Sequence, residues 1–193
     1  MNERLSAIGR RDFLLRSLSV SVPMLFWPQG VAGQEVEIQI NRDTNYGFGW
    51  VLDPVGLYVK PGQVVRWKSF KGGATITAFH PANGNRELRI PEGAKPFNSE
   101  TLGTYANNIF EWRFDQEGTY DYCSSRQERL GIVGRIVVGK PGGPGERPLG
   151  YGAAEGRAPM LKRVADVLDV VTAERIMKEK RVELPLKQLG RIY

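Results

Sequence analysis

Residues 118–139, GTYDYCSSRQERLGIVGRIVVG, decide the fold of this chain. GTYDYC alternates aromatic with small or polar residues, as a half-buried strand does, and GIVGRIVV supplies a second short apolar run. A polar loop, SSRQERL, separates the two runs. This stretch therefore predicts two short strands joined by a polar loop.

More short strands are predicted upstream of this stretch. EVEIQI at 35–40 alternates polar and apolar residues, and YVKPGQVVRW at 58–67 places a Pro61-Gly62 turn between two alternating runs. ATITAFHP at 74–81 predicts another strand, as does IFEWRF at 109–114. Many short strands with frequent turn signals favour an all-β sandwich.

The loop and its frame resemble the end of the copper-binding domain in plastocyanin-like and halocyanin-like cupredoxins. In that family the loop reads roughly Y-F-C-x-P-H-E-x-x-G-M-V-G. YVKPGQVVRW is similar to a common cupredoxin phrase, and ITAFHPANG followed by RIPEGAKPF resembles a halocyanin-like one. The resemblance covers roughly residues 34–140, within a predicted cupredoxin-like domain at 33–140. It implies a Greek-key β-sandwich of about eight strands, a fold that by itself says little about function.

The same resemblance identifies four positions at which the family binds copper. Its loop ligands, Cys, His and Met, fall without a gap on Ser124, Gln127 and Ile132, and its earlier His falls on Ala74. A blue-copper site needs two imidazoles, a thiolate and a weak axial ligand. The chain has one histidine, His80, and one cysteine, Cys123, so one copy cannot supply that set.

The sequence therefore predicts a degenerate copper site with no cofactor. Ala74 and Ile132 are expected to pack as core, while Ser124 and Gln127 hydrogen-bond each other or the loop backbone. Copper is expected only if the function of the family persists.

A second alignment would make Cys123 the ligand, with one residue inserted in the loop. Arg126 then takes the histidine position, and a guanidinium offers no lone pair to a metal. The ungapped alignment is preferred because it keeps Glu128, Gly131 and Gly134 in register. Since neighbours in a strand face opposite ways, it turns Cys123 away from the pocket, as a small buried hydrophobe.

His80 lies six residues beyond Ala74, about 20 Å along a regular strand. It is interpreted as a surface or structural histidine. His80 and Cys123 are the residual metal candidates, through a weak contact or through copper held between two chains.

The N-terminal residues 1–32 are typical of an export signal. Four arginines at positions 4, 10, 11 and 16 load this segment with positive charge, and a modest apolar stretch begins at Leu14. Gly30-Val31-Ala32 suits cleavage before Gly33. GRRDFLL resembles a twin-arginine signal, which we favour over an ordinary secretory signal. The apolar stretch is short for a membrane span, so the mature protein is expected in the periplasm or otherwise exported, with retention as an anchor as the alternative.

The amino-acid composition limits the classes of partner and activity that are expected. The net charge is +6 with the basic residues scattered, which does not indicate nucleic-acid binding and favours an acidic protein partner. One cysteine excludes an intrachain disulfide. No Ser/His/Asp or Cys/His constellation is present, so an enzyme is not expected.

Residues 141–158 are predicted to form a glycine- and proline-rich linker, and residues 159–193 a helical tail. Its apolar positions recur at helical spacing and include Leu161, Val164, Val167, Leu168 and Val171. Thr172 is expected to cap a second short helix. The tail either packs on its own sandwich, the favoured interpretation, or docks on a partner or a second copy.

Two functions remain open from the sequence. The first is a copper-free cupredoxin domain acting as a binding or accessory subunit, with a protein partner such as a periplasmic redox or respiratory complex. The alternative is a periplasmic copper-dependent electron carrier, as the resemblance implies. The sequence leaves the oligomeric state undetermined.

Overall fold

The computed structural model describes residues 36–41, 50–84, 86–150 and 162–184. Nine strands and two α-helices are formed by these residues. In chain order they are β1 Val36–Asn41, β2 Val51–Asp53, β3 Gly56–Val59, β4 Gln63–Ser69, β5 Thr77–Ala78, β6 Ile109–Phe114, β7 Gly118–Cys123, β8 Val133–Val138, α1 Lys162–Val170, α2 Ala173–Glu179 and β9 Arg181–Val182. The predicted signal at 1–32 lies outside the described residues, as do residues 151–158 of the predicted linker.

The strands form two sheets. One has the order β2-β1-β4-β6, and the other has the order β5-β7-β8-β3-β9. β1 runs parallel to β4, and β3 runs parallel to β8, while the remaining pairs are antiparallel. The fold is a β-sandwich with a short helical tail, which confirms the fold class predicted from the sequence.

Aromatic side chains fill the space between the sheets. Trp67 of β4 is fully buried, and its ring centroid lies 5.5 Å from that of Tyr122 on β7. Phe97, from the connection before β6, lies 5.9 Å from Trp67 and 5.7 Å from Phe114. The alternation in the sequence explains this packing, because Val65 and Trp67 face inward while Arg66 between them faces outward.

Two glycines permit close turns and contacts. Gly62 has φ 84° in the predicted Lys60-Pro61-Gly62-Gln63 turn, which the Gln63 N–H closes by donating to Lys60 O at 3.1 Å. Gly134 of β8 lies under the Tyr122 ring, where a Cβ would come within 2.8 Å of the ring carbon Cε1. A side chain at position 134 would therefore displace a core tyrosine.

The five-stranded sheet is covered on both faces. Every residue of β7 and β8 is buried. One face packs on the opposite sheet, and the C-terminal segment covers the other. Four residues of the predicted apolar stripe, Val164, Val167, Leu168 and Val171, are buried together with Ile176, and the fifth, Leu161, lies outside the described residues.

The tail thus packs on its own sandwich, as the favoured interpretation held. Thr172 caps α2, since its side chain accepts a hydrogen bond from Arg175 N at 3.1 Å. After α2 the chain pairs with β3 through β9, with Gly56 opposite Val182. The last described strand therefore extends the sheet that the tail covers.

ATITAFHP forms less strand than its pattern predicts. Only Thr77 and Ala78 are in regular strand conformation. The residues before them pair with the connection instead: Leu102 N donates to Ala74 O at 2.8 Å, and Ser99 N donates to Ile76 O at 2.9 Å. Side-chain acceptors also take backbone donors here, as Ser99 Oγ does from Ile76 N at 2.8 Å.

Among the described residues, no helix is both long and apolar enough to cross a membrane.

Candidate functional site

Ser124 follows the last residue of β7 and is fully buried. Its N–H donates to Ile132 O at 3.0 Å, which closes the base of the 124–132 loop. Its Oγ accepts a hydrogen bond from Thr75 N at 3.0 Å and donates one to Gln127 Oε1. The hydroxyl is thus used both as donor and as acceptor.

Gln127 forms the first turn of the loop. Its N–H donates to Ser124 O at 2.9 Å, and a 3₁₀ turn, Glu128–Leu130, follows it. Its side-chain Nε2 donates to Gly73 O at 3.2 Å. The amide therefore joins the loop to the segment that precedes β5.

Ala74 lies between these two contacts. It is fully buried, with Gly73 on one side bonded to Gln127 and Thr75 on the other side bonded to Ser124. Ile132 at the end of the loop is 3% exposed. The structure therefore brings Ala74, Ser124, Gln127 and Ile132 together at one end of the sandwich. Because the sequence resemblance aligns these four residues with the copper ligands of cupredoxins, we call them the replaced-ligand cluster.

No family model and no curated protein matches this chain. Among solved structures, a pseudoazurin from Sinorhizobium meliltoi matches with a TM-score of 0.54 at 18% identity, covering 73% of this chain and 95% of that one. The chain has the cupredoxin fold.

Two further cupredoxins match at lower TM-scores. A pseudoazurin from Methylobacterium extorquens has a TM-score of 0.48 at 18% identity, with 76% of this chain and 97% of that chain covered. A purple cupredoxin from Nitrosopumilus maritimus has a TM-score of 0.40 at 27% identity, with 54% and 100% covered.

The side chains of the replaced-ligand cluster do not fit a type 1 copper ion. They are two hydrocarbons, a hydroxyl and a carboxamide, where the site chemistry calls for imidazole and thiolate. The hydroxyl and both ends of the carboxamide are already engaged in hydrogen bonds within the cupredoxin domain. Metal binding at this end would first require these hydrogen bonds to break. The ligand atoms then exposed would be uncharged oxygen and nitrogen atoms.

Cys123 has a different set of neighbours from Ser124. It is fully buried and pairs on one side with Thr77 and on the other with Val133. Its thiol interacts with the guanidinium of Arg86, a contact that sequence reasoning missed. Neighbouring residues of a strand face opposite ways, which separates this thiol from the hydroxyl of Ser124.

Arg86 links the cysteine to the loop. Its Nη2 lies 2.8 Å from Glu128 Oε2, and its Nη1 donates to Asn83 O at 2.5 Å. Burial lowers the pKa of Arg86, but the interactions with Cys123 and Glu128 outweigh burial and raise that pKa overall. The guanidinium stays charged, and it tethers Glu128 to the connection after β5.

His80 lies in the turn after β5 and is half-buried. Its Nδ1 accepts a hydrogen bond from Ala82 N at 3.1 Å, so one ring nitrogen already serves a structural role. Within the described part of the chain, no three His, Cys, Asp or Glu side chains are grouped closely enough to hold a metal ion.

A second buried polar cluster was missed by sequence reasoning. Asp121 of β7 is fully buried and lies between two arginines, Arg89 and Arg135. Arg89 Nε lies 2.7 Å from Asp121 Oδ2, and Arg135 Nε lies 2.7 Å from Asp121 Oδ1. Glu87 adds a second buried carboxylate, 3.3 Å from Arg89 Nη1.

This cluster binds the C-terminal segment to the sandwich. Both arginines donate to Gly145 O, at 2.7 and 3.2 Å, and Arg135 also donates to Val171 O at 3.1 Å. Burial lowers the pKa of Arg135, but the charge and hydrogen bonds of Asp121 raise it overall. Arg135 therefore stays charged, and both arginines hold the carbonyl of Gly145.

Two features of the sequence could have revealed the cluster. TYDYC places an aspartate between two core tyrosines, and IVGRIVV places an arginine inside an apolar strand. The register puts Asp121 directly opposite Arg135. Both residues face away from the aromatic core, on a face that is covered by Arg89, by the chain around Gly145 and by the tail.

Proposed function

We propose that this protein is an exported cupredoxin-fold subunit that binds a protein partner and carries no type 1 copper. The observation that supports it best is the hydrogen-bonded contact between Ser124 and Gln127 at the positions of the family's cysteine and histidine ligands. A closed polar network at these positions stabilises the loop without a metal, so the fold can serve as a binding scaffold.

The loop end of the sandwich is the surface we assign to the partner. Leu130 in the 3₁₀ turn is 43% exposed, and Tyr105 in a neighbouring connection is 94% exposed. Lys71, Arg126 and Arg129 are also exposed. Apolar side chains among basic ones suit a partner with an acidic rim around an apolar contact.

The alternative function, a periplasmic copper-dependent electron carrier, draws its support from the fold. Within one chain it lacks the ligand set at the loop end. A site shared between two chains would need Cys123, which is fully buried and engaged with Arg86. Such a site would require β7 to separate from its neighbours. The hydrogen bonds of the replaced-ligand cluster oppose this, because they hold the end of β7 to the segment before β5.

A copper titration with a visible spectrum separates the two functions. The proposal expects a colourless protein with no stoichiometric copper and an unchanged melting temperature. An intense thiolate-to-copper band at one equivalent would overturn it.

Partner binding is tested by photo-crosslinking in cells that export the protein. A photoreactive residue in place of Leu130 is expected to give a discrete adduct. The matched control is Val170, 39% exposed on the tail, which is expected to give none. Equal adducts from both positions, or none from position 130, would contradict the assigned surface.

A further inference from the structure

The outer edge of β6 is open within the described residues. β6 ends the four-stranded sheet and pairs with β4 alone. Ser69 N donates to Asn108 O at 2.8 Å, and Gly62 N donates to Phe114 O at 2.6 Å, so the even-numbered residues turn their main-chain groups toward β4. The main-chain groups of Ile109, Glu111 and Arg113 therefore point outward.

The side chains along this edge differ between its two faces. On the solvent face Ile109 is 45% exposed, and Glu111 and Arg113 are exposed as well. On the core face Phe110 and Trp112 are only half-buried, although they pack against the aromatic core. The edge thus combines free hydrogen-bonding groups, two opposite charges and two incompletely covered aromatic rings.

We propose that β6 pairs antiparallel with β6 of a second copy of this chain, with the two-fold axis at Trp112. This register places Glu111 opposite the partner's Arg113 and Arg113 opposite the partner's Glu111. Both pairs fall at positions whose main-chain groups point outward, so ladder hydrogen bonds and ion pairs form together. A two-fold axis repeats each contact once.

Other registers are unfavourable for identifiable reasons. A slip of one residue brings outward-pointing main-chain groups against inward-pointing ones. An axis at Glu111 sets that carboxylate against itself, and an axis at Arg113 sets guanidinium against guanidinium. Charges on edge strands commonly prevent pairing. Here opposite signs at successive outward positions make the edge complementary to its own reversed copy.

The proposed contact also covers the half-buried rings. Trp112 faces its own copy across the axis as a closely spaced pair, and Phe110 faces the partner's Phe114. Glu111 and Arg113 already form ion pairs within their own chain, and both pairs are exposed. In the Arg66–Glu111 pair, at 2.5 Å, the side chains are 33% and 47% exposed. In the Arg113–Asp115 pair, at 2.7 Å, both side chains are 66% exposed. Such pairs rearrange at little cost.

Two single charge reversals test the proposal. Glu111→Arg places arginine against arginine across the axis, and Arg113→Glu places glutamate against glutamate. Sedimentation equilibrium is expected to show a wild-type dimer and, for each variant alone, a dimer dissociation constant raised about tenfold or more. An equimolar mixture of the two variants restores both attractive pairs and is expected to dimerise as the wild type does.

The mixture also controls for folding, because a misfolded variant could not be rescued by the other. A dissociation constant of about 1 mM marks a weak specific contact. A wild-type protein that stays monomeric at a concentration of about 1 mM would therefore overturn the proposal. Wild-type affinity in either single variant, or a mixture that remains monomeric, would overturn it as well. The contact is independent of the loop end, so it can fail while the proposed partner binding holds.

Discussion

The main-chain N–H of Thr75 donates a 3.0 Å hydrogen bond to the side-chain Oγ of Ser124, across 49 residues of sequence. In the cupredoxin alignment Ser124 takes the position of the copper-binding cysteine. The hydroxyl therefore keeps the loop end and the segment before β5 together without a metal. The contact brings the residue that follows Ala74 against Ser124, and both Ala74 and Ser124 are positions that the ungapped alignment selects.

The first prediction concerns restoration of the copper site. The variant A74H/S124C/Q127H/I132M supplies two imidazoles, a thiolate and a thioether at four positions that the structure brings together. It is expected to bind one copper per chain and to turn blue, whereas the wild type stays colourless. Visible absorption and metal analysis check this.

A matched variant tests the alignment itself. A74H/R126H/I132M keeps the native Cys123 as the thiolate of the alternative alignment. Because Cys123 is buried against Arg86 and faces away from Ser124, this variant is expected to remain colourless. A blue second variant together with a colourless first would show that the inserted alignment is right.

The second prediction concerns the stability of the replaced-ligand cluster. Ser124→Ala removes the acceptor of the buried Thr75 N–H and is expected to lower the free energy of unfolding by about 1–3 kcal/mol. Thr101→Ala, which removes a 3.5 Å contact with the exposed Arg126, is the control and is expected to cost less than about 0.5 kcal/mol. Urea denaturation of both variants measures the difference, and equal losses would contradict the structural role of the hydroxyl.

The third prediction concerns the buried charge cluster. Asp121→Asn leaves Arg89 and Arg135 buried without their shared carboxylate, so we expect a loss of about 3–5 kcal/mol in the free energy of unfolding. Glu111→Gln breaks a half-exposed surface pair with Arg66 and is expected to cost less than about 1 kcal/mol.

Limited proteolysis adds a local measurement to that comparison. Because the two arginines hold Gly145 O and Val171 O, the Asp121 variant is expected to be cleaved faster within its C-terminal segment than the Glu111 variant. Equal cleavage rates would mean that the cluster does not hold the tail.

Particular residues show what the sequence could and could not predict. Alternation predicted the short strand that carries Val65 and Trp67, and the family resemblance selected the four positions that meet at the loop end. The alternation did not reveal Asp121, because a strand pattern assigns an aspartate beside tyrosines to a solvated face. That face is buried by Arg89, by the chain around Gly145 and by the tail, which are all distant from Asp121 in sequence. The cross-strand register with Arg135 emerges only from the folded sheet.

The interruption of ATITAFHP had a similar cause. Its residues satisfy the strand pattern, yet Ala74 and Ile76 take their partners from the connection at 99–102. Local propensity describes one strand at a time. Ser99 and Leu102 lie in an irregular connection, where no periodic pattern in the sequence predicts that they pair with this segment.

The last prediction concerns alkaline pH. Burial raises the pKa of Tyr122 above its ordinary value of 10.0, and its hydroxyl has no hydrogen-bond partner of good geometry, although the indole of Trp67 lies beside it. Burial and the charge of Asp115 raise the pKa of Tyr120 to about 12. A raised pKa means that the folded state keeps a proton which the unfolded state loses above pH 10. The contribution of these two tyrosines to stability is therefore constant below pH 10 and falls above it, by up to about 1.4 kcal/mol per pH unit for each tyrosine.

Tyr122→Phe removes one of these protons together with a hydroxyl that lacks a good partner. We expect the variant to match the wild type within about 1 kcal/mol at pH 7, and to lose stability less steeply between pH 10 and 12. Tyr105→Phe, at a ring 94% exposed, makes the same chemical change outside the core and serves as the control. Urea denaturation at stepped pH measures the slopes. A Tyr122 variant whose slope equals that of the wild type would show that this hydroxyl is not held in its neutral form by the fold.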